Sequence, residues 1–205
     1  MSILVITTGG TIGALPYADM RRTPEFSTMP PKGQDFVCAA MKEKFGAIKS
    51  RCLSLEPRDS KLIDEPYRHN LLKTIAAAPE TKILVTHGTD TILRTAEFFH
   101  EQFGTNPGLD GKIVVLTGSM IPLTNGPESD GYLNLAYALE QLTHFAGEGE
   151  DKRQDHSGIY IVLCDYKSPE PDSRKWHPHL YRYEPDKYEK IYAEDTRYSR
   201  LRRRK

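Results

Sequence analysis

The sequence predicts a doubly wound α/β fold, a mostly parallel sheet with helices on both faces, in a single domain. Four short apolar runs are rich in β-branched residues and continuous rather than alternating, which is typical of strands buried on both faces of a parallel sheet. The runs are Ile3 to Ile6, Lys82 to Val85, Lys112 to Leu116 and Ile159 to Leu163. Segments with helical spacing separate them, and this alternation implies right-handed βαβ crossovers.

Four segments between or beside these runs place apolar residues at helical spacing: 36–45, 66–78, 91–103 and 132–145. In the second of them Pro66 can open a helix, and Leu71, Leu72 and Ile75 recur on one face. Residues 16–31 and 147–157 are polar and lack periodicity, so they are interpreted as loops. The first loop has the length of a functional lid.

The composition favours one core and no charged macromolecular partner. The chain has 205 residues, with 28 basic and 28 acidic side chains. A net charge of zero gives no field that would recruit nucleic acid or an anionic membrane. The basic tail 200–205 is interpreted as a solvated terminus. The apolar start, residues 1–6, lacks a basic n-region and is too short to span a bilayer, so a cytoplasmic protein is expected.

The three cysteines predict neither a disulfide framework nor a zinc site. Cys38, Cys52 and Cys164 are odd in number and lie far apart, without CxxC spacing or nearby histidines. Each is interpreted as a small hydrophobic residue.

A glycine-rich turn, TTGGTIG at residues 7–13, directly follows the first apolar run. Paired glycines allow a tight turn, and their N–H groups can point at a developing negative charge. The hydroxyl of Thr11 would there be placed to attack a carbonyl. The motif lacks the lysine of a phosphate-binding loop and the full glycine spacing of a dinucleotide site. Taken alone, it is equally well an ordinary turn.

Two further polar turns follow later runs, at residues 86–91 and 117–120. The carboxyl ends of parallel strands share one edge of the sheet, so the three turns are expected to meet in one crevice. In the second turn, Thr89 or Asp90 either caps the next helix or acts in a site. A carboxylate at that place could hold the ammonium group of an amino acid.

Three segments resemble, in order and spacing, the signature segments of bacterial-type L-asparaginases. They are TTGGTIG at 7–13, THGTDT at 86–91 and TGSMIPLTNGPESDGYLNL at 117–135. The resemblance runs from residue 3 to about residue 180, so residues 1–180 are expected to form a domain like the N-terminal one of that family. Residues 181–205 would be an extension of uncertain structure.

The resemblance implies hydrolysis of the side-chain amide of L-asparagine to aspartate and ammonia through an acyl-enzyme. It implies no metal or organic cofactor, a small-molecule substrate and a homo-oligomer. Thr11 would be the nucleophile, Thr89 and Asp90 the second active threonine and its aspartate, and Lys175 the partner of Thr89. Ser60 would bind the substrate's α-carboxylate. The predicted binding set is Ser60, Asp59, Gly10, Gly88, Asp90 and Ser119.

The sequence departs from the family pattern in two ways. Where the family has a loop tyrosine beside the nucleophile, this chain has Pro24; Tyr17 either fills that role from another position or only packs. The chain is also too short to hold the family's C-terminal domain, which supplies a glutamate, and it resembles short single-domain members. Glu65 and Glu128 are candidates for that acid only because they lie near motifs. A silent asparagine- or aspartate-binding module, or hydrolysis of a related amide such as glutamine, remains an alternative.

Overall fold

The computed structural model describes residues 2–18, 26–145, 156–165 and 177–184. These residues form one six-stranded sheet flanked by α-helices. The strands are β1 (Ile3–Gly9), β2 (Ser50–Arg58), β3 (Lys82–Thr86), β4 (Ile113–Thr117), β5 (Gly158–Asp165) and β6 (His177–Arg182). The helices are α1 (Phe36–Lys44), α2 (Glu65–Ala77), α3 (Ile92–Gln102) and α4 (Gly131–His144). Short 3₁₀ turns cover Thr11–Gly13, Ser60–Leu62, Pro107–Leu109 and Leu123–Glu128, and the last is interrupted by a kink at Gly126.

The strand order is β2-β1-β3-β4-β5-β6. The first five strands are parallel, and β6 pairs antiparallel with β5. The four apolar runs correspond to β1, β3, β4 and β5, each fully or largely buried. The predicted doubly wound, mostly parallel sheet is confirmed.

Two hydrophobic cores, one on each face of the sheet, hold the layers together. On one face, α2 and α3 bury residues such as Leu71, Ile75 and Phe99 against Leu4 and Val85. On the other face, α1 and α4 pack against the opposite side chains of the same strands. Successive residues of a strand point to opposite faces of the sheet, so each central strand contributes side chains to both cores. Its sequence is therefore continuously apolar.

Strand β2 was not predicted, because it does not resemble the central strands. It lies at the sheet edge, and its residues are exposed or half-buried. A strand with one neighbour and partial cover needs no continuous apolar run. Strand β6 likewise falls in the stretch where the sequence showed little periodicity.

The prediction for the cysteines is wrong for two of the three. Cys38 in α1 and Cys52 in β2 form a disulfide, with Cα atoms 5.9 Å apart. Cys164 lies outside this disulfide and is buried, as expected of a small hydrophobic residue. The pairing was missed because it depends on β2, which brings Cys52 alongside the first turns of α1.

Several predicted features lie outside the described residues: Lys175, Pro24, the tail 200–205, most of the loop 147–157 and most of the extension 181–205. In the part of the chain that the structure describes, no helix is both long and apolar enough to cross a membrane.

The topology places a crevice between β1 and β3. The chain leaves β1 toward β2 on one side and returns to β3 on the other, so the connections after these neighbouring strands diverge. In doubly wound sheets, ligands bind at such a switch point, outside the carboxyl ends of the strands. The first two glycine-bearing turns flank this crevice.

Candidate active site

The turn after β1 is built on two glycines with positive φ, +93° at Gly9 and +70° at Gly10. The N–H of Gly10 donates to the carbonyl of Arg58 at the end of β2, 2.8 Å away. A Cβ atom on Gly10 would lie 2.4 Å from the backbone nitrogen of Gly88. The first turn and the turn after β3 are therefore in direct backbone contact, as their positions at the sheet edge predicted.

Thr11 opens the 3₁₀ turn that follows, and its hydroxyl faces two others. Its Oγ1 lies 2.8 Å from Oγ of Ser27, and the hydroxyl of Tyr17 donates to it over 3.4 Å. Asn125 holds the backbone of Tyr17 by accepting from its N–H at 3.0 Å. The structure thus directs the Tyr17 hydroxyl at Thr11, although this residue is seven positions before Pro24. Ser27 was not singled out from the sequence, because one serine in a loop carries no signal.

In the second motif, neither Thr89 nor Asp90 caps α3. The N-cap of α3 is Thr91, so the interpretation of Thr89 or Asp90 as the helix cap is wrong. Thr89 Oγ1 is 3.7 Å from Sδ of Met120 in the third turn. Oδ2 of Asp90 lies 3.6 Å from Nζ of Lys61. Thr89 thus faces the third turn, and Asp90 faces the Ser60–Leu62 segment that carries Lys61.

Ser60 is 3% exposed and packs against the second motif. A Cβ atom on Gly88 would meet the Ser60 side chain at 2.6 Å, and Thr91 donates to the Ser60 carbonyl at 2.7 Å. The preceding Asp59 accepts from the N–H groups of Lys61 and Ser27, at 3.0 and 2.8 Å. Asp59 thus fixes both the Ser60 turn and the loop segment that carries Ser27.

The third turn is held by a buried carboxylate. Asp130 is 2% exposed and accepts hydrogen bonds from the N–H groups of Met120 and Ile121, at 3.0 to 3.1 Å. Ser119 is fully buried and donates to the Ile121 carbonyl at 2.7 Å. Burial raises the pKa of Asp130 to about 7, although the backbone N–H groups favour its charged form. Asp130 therefore positions the turn that contacts Thr89.

The raised pKa of Asp130 predicts a pH dependence of stability. Between pH 4 and 7 the folded protein keeps a proton on Asp130 that the unfolded chain releases, so the free energy of unfolding falls as pH rises through this window. Asp130→Asn cannot titrate. From pH 5 to 8 the wild type should therefore lose on the order of 2 kcal/mol more than the variant.

Urea unfolding of both proteins at pH 5 and pH 8 measures this difference. The exposed Asp110→Asn is the matched control and should follow the wild-type profile. Parallel profiles for the wild type and Asp130→Asn would contradict the prediction.

A buried polar chain lies beneath the second motif. Nδ1 of His87 is 2.8 Å from the Gly88 carbonyl, and Nε2 is 3.0 Å from the hydroxyl of Thr95. Arg68 donates to the same hydroxyl over 3.1 Å. Burial lowers the pKa of His87 to about 4, so its imidazole is neutral at pH 7. This series of hydrogen bonds links Gly88, just before Thr89, to Arg68 on α2.

Thr95→Val is expected to lower the free energy of unfolding by about 2 kcal/mol, because it leaves a buried imidazole nitrogen without a partner. Thr74→Val, which removes a hydroxyl bonded only within its own helix, should cost less than about 0.5 kcal/mol. Urea denaturation of the two variants measures both values. Equal losses would show that the His87 contact adds nothing to stability.

The structure brings together most of the predicted set and leaves some members apart. Gly88 contacts both Gly10 and Ser60, Thr11 adjoins Gly10, and Thr89 contacts the third turn. Glu65 instead lines a groove between α2 and α3. Glu128 is exposed. Within the described ranges, no three His, Cys, Asp or Glu side chains cluster in a way that could hold a metal ion.

A family model described as the N-terminal domain of asparaginases matches residues 2–175. The chain belongs to the asparaginase family. It is 30% identical over 167 residues to an L-asparaginase of Thermococcus kodakarensis. The aligned region covers 80% of this chain and 44% of that protein. The resemblance inferred from the three segments is confirmed.

Solved asparaginase structures share the fold. The thermostable L-asparaginase from Thermococcus kodakarensis superposes with a TM-score of 0.56 and 27% identity, over 78% of this chain and 43% of that one. A probable cytoplasmic L-asparaginase from Campylobacter jejuni gives a TM-score of 0.59 at 21% identity, over 89% of this chain and 58% of that one. This asparaginase-family chain thus spans less than two thirds of the length of the relatives it matches.

Proposed function

We propose that the protein hydrolyses the side-chain amide of L-asparagine to L-aspartate and ammonia, with Thr11 as the nucleophile. The observation that carries this proposal is the position of the Thr11 hydroxyl. It stands on the glycine turn that contacts Gly88, within hydrogen-bond reach of Ser27 and Tyr17. Membership of the asparaginase family supports the choice of reaction.

A threonine hydroxyl attacks a carbonyl only when a neighbouring group takes its proton. In the proposal, Ser27 and Tyr17 orient Thr11, and Lys175 acts as the base of the second threonine centre with Thr89. In the proposal, backbone N–H groups of the glycine turn donate to the oxyanion that forms. In the proposal, the Thr11 proton passes to the neutral amine of Lys175 and from there to the departing amide nitrogen, so that attack forms a Thr11 ester and releases ammonia. Water then adds to the ester, a proton returns to the Thr11 oxygen, and aspartate is released.

The substrate's charged groups define its orientation. Ser60 would donate to the α-carboxylate, and Asp90 would accept from the α-ammonium. Ser60 is buried against Gly88, and Asp90 stands at the same turn, one residue beyond Thr89. Asp59, Gly10, Gly88 and Ser119 would shape the pocket through the backbone contacts described above. One small amino acid could then contact all three turns.

The direct test is to incubate the purified protein with L-asparagine and to quantify both products. Equimolar ammonia and aspartate are expected, and mass spectrometry of a rapidly quenched sample should find the acyl group on a peptide that contains Thr11. Binding of aspartate without ammonia release would favour a silent binding module instead. Faster release from glutamine or another amide would keep the chemistry and change the substrate.

We also infer that the protein assembles as a homo-oligomer and is cytoplasmic, and both stay predictions. The Campylobacter relative is described as cytoplasmic. The disulfide between Cys38 and Cys52 points the other way, because disulfides are rare in reducing compartments. Light scattering tests the assembly, and thiol labelling of the protein in intact cells tests whether the disulfide forms there.

A further inference from the structure

Lys61 stands between the loop segment over Thr11 and the acid of the second motif. Its Nζ lies 3.6 Å from Oδ2 of Asp90 and 5.0 Å from the centre of the Phe26 ring. The side chains of Lys61 and Asp90 are 32% and 29% exposed. The backbone of Lys61 is fixed, because its N–H donates to Asp59. The turn therefore fixes the start of the Lys61 side chain, and the ammonium at its end lies beside Asp90.

This placement bears on the carboxylate that the proposed function assigns to the substrate's α-ammonium. A second cation cannot approach Asp90 without either displacing Lys61 or accepting repulsion from it. Lysine presents a compact point charge, so it is an effective substitute for a small ammonium group. The same charge lies one residue from Ser60, where it favours a bound carboxylate.

We propose that Lys61 is a specificity-determining residue, which lets the site accept amides that have the α-carboxylate but lack the α-ammonium. The representative substrate is succinamate, which is asparagine without its amino group. The reaction is the proposed one: the C–N bond of the amide breaks, water supplies the oxygen, and succinate and ammonia form. This inference rests on the proposed function, because it uses the roles given there to Asp90 and Ser60.

Lys61→Met tests the inference. It keeps an unbranched side chain over Phe26 and removes the charge. For asparagine, KM should fall about fivefold with little change in kcat, the size of effect that a half-exposed ion pair produces. For succinamate, KM should rise. The ratio of kcat/KM for succinamate to that for asparagine should consequently fall at least fivefold, as expected from the two changes together. Lys73→Met, at an exposed position on α2, should leave the ratio unchanged.

Calorimetric binding of the products separates this inference from the proposed function. Wild-type protein should bind succinate and aspartate with similar affinity, and Lys61→Met should prefer aspartate. If the wild type releases no ammonia but this shift in binding is observed, the proposed function fails and the role of Lys61 stands. If ammonia is released but neither ratio changes in Lys61→Met, only the inference about Lys61 is overturned. If no ammonia is released and neither product binds to either protein, both are overturned.

Discussion

Thr11→Ala is expected to lower kcat for ammonia release from asparagine by at least about a thousandfold, the size of loss seen when a nucleophile is removed. The substitution removes the one oxygen that would form the acyl bond and leaves the glycine turn in place. Its hydrogen bonds to Ser27 and Tyr17 are partly exposed, so the free energy of unfolding should change by less than about 1 kcal/mol. Coupled assay of ammonia and urea unfolding measure the two effects.

Thr11→Ser is the matched variant, because it keeps the hydroxyl and removes only a methyl group. It should retain activity within about tenfold of the wild type, since the nucleophile and its hydrogen bonds persist. Aspartate should still bind to Thr11→Ala, which would show that the site is intact. Ammonia release that continues unchanged in Thr11→Ala would refute the mechanism, and attention would pass to Thr89.

The central fold could be predicted from the sequence because it depends on local pattern. Strands β1, β3, β4 and β5 are buried on both faces, so each is a continuous apolar run. Pro66 marks the start of α2 as expected, with Asp64 accepting from the N–H of Tyr67 at its N-cap. The edge strand β2 had no such signal, and the Cys38–Cys52 disulfide was missed with it.

The residues of the candidate site that belong to sequence motifs could be predicted. The single side chains that lie outside the motifs could not. The glycine turn and the threonine–aspartate pair are recognisable because, with the third segment, they resemble asparaginase segments in order and spacing; taken alone, each is equally an ordinary turn or a helix cap. Ser27, Asp130 and Lys61 act through distances set by the folded chain. Ser27 reaches Thr11 across 16 positions, and Lys61 reaches Asp90 across 29. A local sequence pattern does not show which residues so far apart in the chain will be in contact.

Gly10→Ala is expected to damage both stability and activity, because two separate physical costs meet at this residue. With φ at +70° and ψ at 178°, Gly10 lies in a backbone region that is essentially restricted to glycine, so any side chain there costs about 1–3 kcal/mol. The added Cβ would also lie 2.4 Å from the nitrogen and 2.5 Å from the Cα of Gly88. Backbone atoms cannot rotate away as a side chain can, so the two turns must separate. The total loss in the free energy of unfolding should be about 3–5 kcal/mol.

Gly111→Ala separates the two costs. Gly111 has nearly the same φ, +68°, but nothing lies within 4 Å of its would-be Cβ. It should therefore lose only the backbone penalty, about 1–2 kcal/mol, and keep full activity. Urea unfolding of both variants measures the difference between them, which contains the contact cost and any difference between the two backbone penalties. Equal losses would mean that the first and second turns do not touch in solution.

The loss of activity in Gly10→Ala follows from the same contact. Separating Gly10 from Gly88 moves Thr11 away from Thr89, and a displacement of about 1 Å in a reacting group can cost a hundredfold in rate. The remaining folded protein, measured by circular dichroism, should therefore show kcat/KM lowered by about two orders of magnitude. If the variant is unstable but fully active per folded molecule, the contact holds the fold and does not align the two threonines. The proposed convergence of the turns on one substrate would then be wrong.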